Sequence, residues 1–119
     1  MKKVYFLIFL TTLVIVAMAW RIVISQKSNP DLDSFAKCLA DKGAVMYGAK
    51  WCAHCQNQKK EFGKSFSFIK YVECPENIEL CLAKGVASYP TWILNDKKYE
   101  GEMSLEGLSG ISGCALSAK

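Results

Sequence analysis

Two cysteines, Cys52 and Cys55, stand three apart in the run Trp51-Cys52-Ala53-His54-Cys55, after a short apolar segment and at the head of a lysine-rich one. That spacing sets two sulfurs about one helical turn apart, so that one thiolate can attack a disulfide and the other can resolve the mixed disulfide that forms. With a strand before the motif and a helix after it, Cys52 falls at a helix N-terminus, where free backbone N–H groups and the macrodipole favour the thiolate. Cys52 is therefore expected as the exposed nucleophile and Cys55, further in on the same face, as the resolving thiol. His54, the only histidine, stands between them. Either it stabilises the reduced thiolate by charge or hydrogen bonding, which makes the couple a stronger oxidant, or it is a solvated first-turn residue with no effect on sulfur.

Tyr89-Pro90-Thr91 is the second half of this constellation. A proline at the entry to a strand cannot donate to a ladder, and a cis bond there would turn the backbone so that a substrate chain can pair beside Cys52. The proline alone leaves the isomer open. Trp51 and Tyr89 either frame the groove beside the sulfur or simply pack, and Trp92 reads as core. A rival chemistry is metal binding through Cys52, Cys55 and His54, or through Cys74 and Cys81. Zinc sites prefer two separated ligand pairs, whereas this motif offers one, so neither a metal nor a cofactor is expected.

The surrounding pattern supplies the elements that must hold these groups. Asp31 or Asp33 can cap a helix through about Lys42, with Phe35, Cys38 and Leu39 inward and Gly43 as its stop. Ala44 to Gly48 reads as a buried strand, followed by the motif and a helix whose apolar positions Cys55, Phe62 and Phe66 share a face. Gln56, Asn57, Lys59, Lys60 and Lys64 read as its solvated surface. Ile69 to Cys74 is a second strand, Asn77 to Lys84 a short helix, Thr91 to Leu94 a third strand, and Lys98 to Gly101 its hairpin partner across Asn95-Asp96. Ser104 caps a last helix with Leu105, Leu108 and Ile111 inward. Gly107, Gly110 and Gly113 in that helix each cost about 1 kcal/mol if helical, so something else should hold it. A disulfide from Cys38 to Cys114 would, and Cys74 with Cys81, near in sequence across a Pro75 turn, completes that pairing. Free buried thiols are the alternative.

The chain has 119 residues, 51% apolar and 22% charged, which allows one small domain and excludes a multidomain machine. From Val4 to Trp20, fifteen of seventeen residues are apolar. As a helix extended through Ile24, with Arg21 snorkelling, this run reaches about 31 Å, close to a bilayer core. A cleaved secretory signal is the competing reading, because Ala17-Met18-Ala19 has the small-x-small form of a cleavage site. Both readings keep Lys2 and Lys3 in the cytoplasm and export the rest, either anchored on the extracytoplasmic (periplasmic or lumenal) side or secreted. The expected organisation is an anchor or signal at 1–25, a polar linker at 26–30 and a folded domain at 31–119. Six cysteines are an even count that suits an oxidising compartment. Of the net charge of +4, the first 26 residues carry +3, from Lys2, Lys3 and Arg21 with no acid. A domain this near neutrality lacks the basic surface that a nucleic-acid partner needs.

Taken together, Trp51-Cys52-Ala53-His54-Cys55, Tyr89-Pro90-Thr91 and the order of strands and helices resemble the thioredoxin superfamily over residues 31–119. The frames Phe-Ala-Lys-Cys-Leu, Gly-Ala-Val-Met-Tyr-Gly-Ala-Lys-Trp-Cys-Ala-His-Cys-Gln, Tyr-Val-Glu-Cys, Ser-Tyr-Pro-Thr-Trp and Ser-Gly-Cys resemble, more narrowly, the thioredoxin-like domain associated with bacterial and plant homologues of vitamin K epoxide reductase. The resemblance implies an α/β thioredoxin-like fold with a central mixed sheet of about four strands flanked by helices. It implies an exported thiol-disulfide oxidoreductase with Cys52 and Cys55 catalytic, Pro90 cis and the other four cysteines in structural bridges. Its substrates would be protein thiols and disulfides, and its electrons would pass to a quinone-linked membrane partner. An anchored reductase or isomerase, as in cytochrome c maturation, is the alternative, and a purely structural domain is the remaining one. Three departures stand out. The motif lacks the proline that often follows the nucleophile. Met46 occupies the strand position, six before Cys52, where many relatives bury a carboxylate, so the proton of Cys55 must use water, His54 or a backbone route. Finally, the first strand of the full fold is missing.

Overall fold

The computed structural model describes residues 1–24 and 30–117. Helix α1 (Lys2–Ile24) contains a 20-residue segment, Lys2–Arg21, of mean hydropathy 2.0, the one described helix long and apolar enough to cross a membrane. Residues 26–29 of the expected linker lie outside the described residues, and Pro30 opens α2 (Pro30–Asp41). Asp31 and Asp33 thus sit in the first turn of α2 instead of capping it: proline tolerates an early helical position, and acids there suit the macrodipole. Gly43 ends the segment with φ of +81°.

Four short strands form one mixed sheet in the order β2-β1-β3-β4. They are β1 (Val45–Gly48), β2 (Lys70–Glu73), β3 (Thr91–Leu94) and β4 (Lys97–Glu100). β1 runs parallel to β2, with Met46 opposite Tyr71, and antiparallel to β3, with Met46 opposite Trp92. β3 and β4 form a hairpin in which Asn95 and Asp96 take positive φ of 52° and 60°, as a two-residue turn between right-twisted strands requires. No strand precedes α2 among the described residues.

Helix α3 (Ala53–Phe62) follows β1, α4 (Ile78–Ala83) follows β2, and α5 (Leu105–Ser112) closes the domain. The sequence reading carried α3 on to Phe66. Gly63, with φ of +54°, ends it instead, and Phe66 lies in a 3-10 stretch, Gly63–Phe68. Phe62 still meets Phe66 edge-on at 6.1 Å, stacks on Phe35 at 6.1 Å and tilts against Trp92 at 6.1 Å. Trp92, Phe35, Leu39, Met46 and Leu108 complete this buried cluster.

In α5, Ser104 Oγ accepts the Gly107 amide at 3.1 Å, as a capping serine does. Gly113 is not a helical cost, contrary to the sequence reading. It lies beyond the last turn at φ of +72°, a left-handed conformation that glycine adopts without a Cβ penalty, and its amide donates to Ser109. Disulfides join Cys38 to Cys114, binding α2 to the end of α5, and Cys74 to Cys81.

Candidate functional site

The peptide ahead of α3 turns sharply, with the Cys52 amide donating to Ala49, and places Cys52 as the N-cap. Its sulfur takes the part a serine or aspartate oxygen plays elsewhere, accepting the Cys55 amide at 3.2 Å. Cys55, one turn on, brings its own sulfur to 2.6 Å from that of Cys52, within reach of a single S–S bond. The expected exposure of Cys52 needs correction: it is 7% exposed and Cys55 fully buried. The cap hydrogen bond turns the Cys52 sulfur in over the helix end, where it joins the core cluster that Tyr89 packs against.

Trp51 is 75% exposed and meets the Tyr89 ring edge-on at 6.0 Å. Trp92, by contrast, is core and donates its indole N–H to Gln58 at 3.2 Å. The Tyr89–Pro90 bond is cis. The Tyr47–Thr91 register sets buried Pro90 beside Gly48, at the end of β1 that leads into the motif.

His54 is held by the loop that leads into α5. Its Nδ1 meets Glu102 Oε1 at 2.5 Å, and Asn57 Nδ2 donates to the same oxygen at 3.3 Å. A carboxylate from the loop before α5 therefore offsets any positive charge the ring carries beside the motif. Lys59, read from the sequence as solvated, is half-buried: its ammonium lies 3.8 Å from the centre of the Tyr71 ring, attracted by the aromatic face.

Burial, then the hydrogen bond with Cys52, pushes the Cys55 thiol up to about 12, against smaller downward pulls from the Ala49 backbone and Lys59. The Cys55 proton is thus held tightly, and removing it is work the site must do. Met46, at the strand position before the motif, is fully buried and brings no acid. On the next strand, however, Tyr71 donates its hydroxyl to Glu73 Oε2 at 2.7 Å, and the Lys50 amide donates to Glu73 Oε1 at 2.8 Å. Burial pushes the Glu73 carboxyl up, yet these hydrogen bonds and the Lys50 and Lys59 charges outweigh it and hold the group below the usual carboxylate range. Sequence reasoning missed this pair. The register of β1 against β2 is the signal that locates it. Among the described residues no three His, Cys, Asp or Glu side chains converge into a metal-ligand set.

No family model matches the chain. It is 39% identical over 106 residues to thiol-disulfide oxidoreductase LTO1 of Arabidopsis thaliana, a match that covers 82% of this chain and 28% of that protein. It is 39% identical over 84 residues to protein disulfide isomerase-like 2-2 of Oryza sativa subsp. japonica, covering 58% of this chain and 23% of that one. Protein disulfide-isomerase of Aspergillus niger is 26% identical over 92 residues, covering 66% of this chain and 18% of its own. The chain thus spans under a third of the length of each of these relatives. Kinship and architecture agree, and the chain belongs to the thioredoxin superfamily.

Proposed function

We propose that this chain is a thiol-disulfide oxidoreductase that exchanges disulfides with protein substrates, with Cys52 as nucleophile and Cys55 as resolving thiol. The observation that carries the reading is the Cys52 sulfur seated as N-cap acceptor of α3, with the Cys55 sulfur 2.6 Å away. In the oxidising direction a substrate thiolate attacks Cys52 of the Cys52–Cys55 disulfide and Cys55 leaves. A second substrate thiolate then attacks the mixed disulfide, and the substrate departs oxidised while the protein keeps two electrons as a dithiol. Trp51, Tyr89 and Pro90 line the approach, and the substrate backbone lies beside Pro90. The relatives named as oxidoreductase and isomerases support this chemistry.

α1 serves as the membrane anchor, with the domain on the extracytoplasmic side, where the Cys38–Cys114 and Cys74–Cys81 bridges persist. The electrons pass to a quinone-linked membrane partner of the vitamin K epoxide reductase kind. The isomerase-like relatives favour reduction or reshuffling as the second reading. Cys55→Ser protein incubated with a reducible protein disulfide is expected to accumulate a mixed disulfide on Cys52, which Cys52→Ser protein does not form. Absence of that adduct overturns the assignment. An alkylation trap in intact cells separates the two directions: an oxidase is found mostly as Cys52–Cys55 disulfide, a reductase or isomerase mostly as dithiol.

A further inference from the structure

At Gly48 the absence of a side chain lets Cys55 and Tyr71 close in on β1. The point where a Cβ on Gly48 would lie is 2.8 Å from Cys55 Sγ and 3.3 Å from the Tyr71 hydroxyl oxygen, so sulfur and phenol both border the same point of the strand. The parallel register places Tyr71 opposite Met46, beside the strand position that carries no acid here. Tyr71 commits its O–H to Glu73 at 2.7 Å, which leaves the oxygen's lone pairs free to accept. Glu73, 9% exposed, is fixed from its other oxygen by the Lys50 amide at 2.8 Å.

Building on the thiol-disulfide exchange reading above, we propose that Tyr71 and Glu73 form the proton relay of Cys55, doing from the neighbouring strand what a carboxylate at position 46 cannot. As Cys55 Sγ attacks Cys52 Sγ in a mixed disulfide, its S–H proton moves to the Tyr71 oxygen and the Tyr71 O–H proton to Glu73 in the same event. The Cys52–Cys55 bond forms and the bond to the substrate sulfur breaks, so no free Cys55 thiolate has to be made first against a carboxylate held below its usual range. The substrate leaves as a thiolate with the electron pair, so its disulfide is reduced as the two cysteines are oxidised. Glu73 then releases the proton to solvent. In the opposite direction Cys55 is the leaving thiolate and recovers a proton along the same path. Tyr71 stays protonated between turnovers: burial and the Glu73 carboxylate push its ionisation upward, so it passes protons without resting as a phenolate.

The test follows reduced protein mixed with oxidised glutathione by rapid acid quench, reading the appearance and decay of the Cys52–glutathione adduct. Tyr71→Phe and Glu73→Gln are expected to slow decay by about tenfold or more while formation changes less than about twofold. Wild-type decay in mixtures of light and heavy water should curve with deuterium fraction, as two protons in flight require, and this readout needs no variant to fold. Decay at the wild-type rate in Tyr71→Phe, equal slowing of both steps, or a linear deuterium dependence overturns the relay. If no adduct forms on wild-type protein, the exchange reading falls and the relay with it, whereas normal formation with unaltered decay in the variants sinks the relay alone.

Discussion

Gln58 grips Met103 from both sides: its Oε1 accepts the Met103 amide at 2.8 Å, and its Nε2 donates to the Met103 carbonyl at 2.9 Å. The same Oε1 accepts the Trp92 indole N–H, so one fully buried amide joins α3, β3 and the loop into α5. Removing it leaves three polar groups without this partner, the buried Trp92 N–H and the half-buried Met103 amide and carbonyl, each worth up to about 1 to 3 kcal/mol when unpaired, with partial relief from relaxation and water. Gln58→Leu is expected to lower stability by about 3 kcal/mol, read as a shift of the urea midpoint. A loss under about 1 kcal/mol would mean that the loop before α5 is held by other contacts.

Gly48 has ordinary backbone angles, so its role is space and not conformation. A Cβ there would meet Cys55 Sγ at 2.8 Å and a Tyr71 ring carbon at 3.2 Å. Gly48→Ala must push the sulfur or the ring aside, at about 1 to 3 kcal/mol of overpacking, and should slow disulfide exchange by about tenfold or more through misplacement of Cys55. Exchange at the wild-type rate in a stably folded Gly48→Ala protein would refute this packing account.

The pairing of His54 with Glu102 sets a second expectation. Glu102→Gln removes a negative charge from beside the motif and leaves His54 free to favour the reduced sulfur. The couple should become more oxidising by about 10 to 30 mV in a glutathione equilibrium. Glu102 is two-thirds shielded at its side chain while His54 is mostly exposed, so the effect should shrink with salt. An unchanged or lower potential would show that His54 does not reach the sulfur even when released.

Alkali should separate the two redox forms. A thiol whose folded pKa is raised contributes stability that is whole below the unfolded value and lost as pH climbs through the folded one. For Cys55 that window runs from 9.0 to about 12. Dithiol protein should therefore lose stability relative to the Cys52–Cys55 disulfide form as pH rises through the window. Tyr47, raised by burial, titrates in both forms and largely cancels in the comparison. Denaturation midpoints of both forms at about pH 8 and about pH 10.5 check this, and parallel curves would contradict it.

Features governed by neighbours in sequence were legible before any coordinates. The cap at Ser104, the stop at Gly43, the Asn95-Asp96 turn and Cys52 at the head of a helix each depend on a few adjacent residues. So does the alternation of apolar runs that fixed the strands. The bridge from Cys38 to Cys114 was legible for another reason: a glycine-rich last helix lacks the intrinsic preference to stand alone. What escaped is what depends on register and side-chain direction. Gln58 reads as one more polar residue on a polar helix, and only its facing Trp92 and Met103 gives it a purpose. Tyr71 and Glu73 belong to a strand pattern that says nothing of Cys55 until β2 is laid in parallel beside β1. Glu102 lies 48 positions from His54, and no local rule joins them. Cys52 was expected open because a nucleophile must be reached, but the same cap that suits its anion folds it inward.

The covalent tie between the first and last helices of the domain has a consequence for the protein's own making. Under the proposed activity, a finished copy carries bonds of the kind it installs in others. A newborn chain must acquire them before its last helix is secured, and a completed copy in the same compartment whose Cys52–Cys55 pair is oxidised is chemically competent to provide them, leaving that pair as a dithiol. Supply of mature protein would then grow with the number of copies already mature.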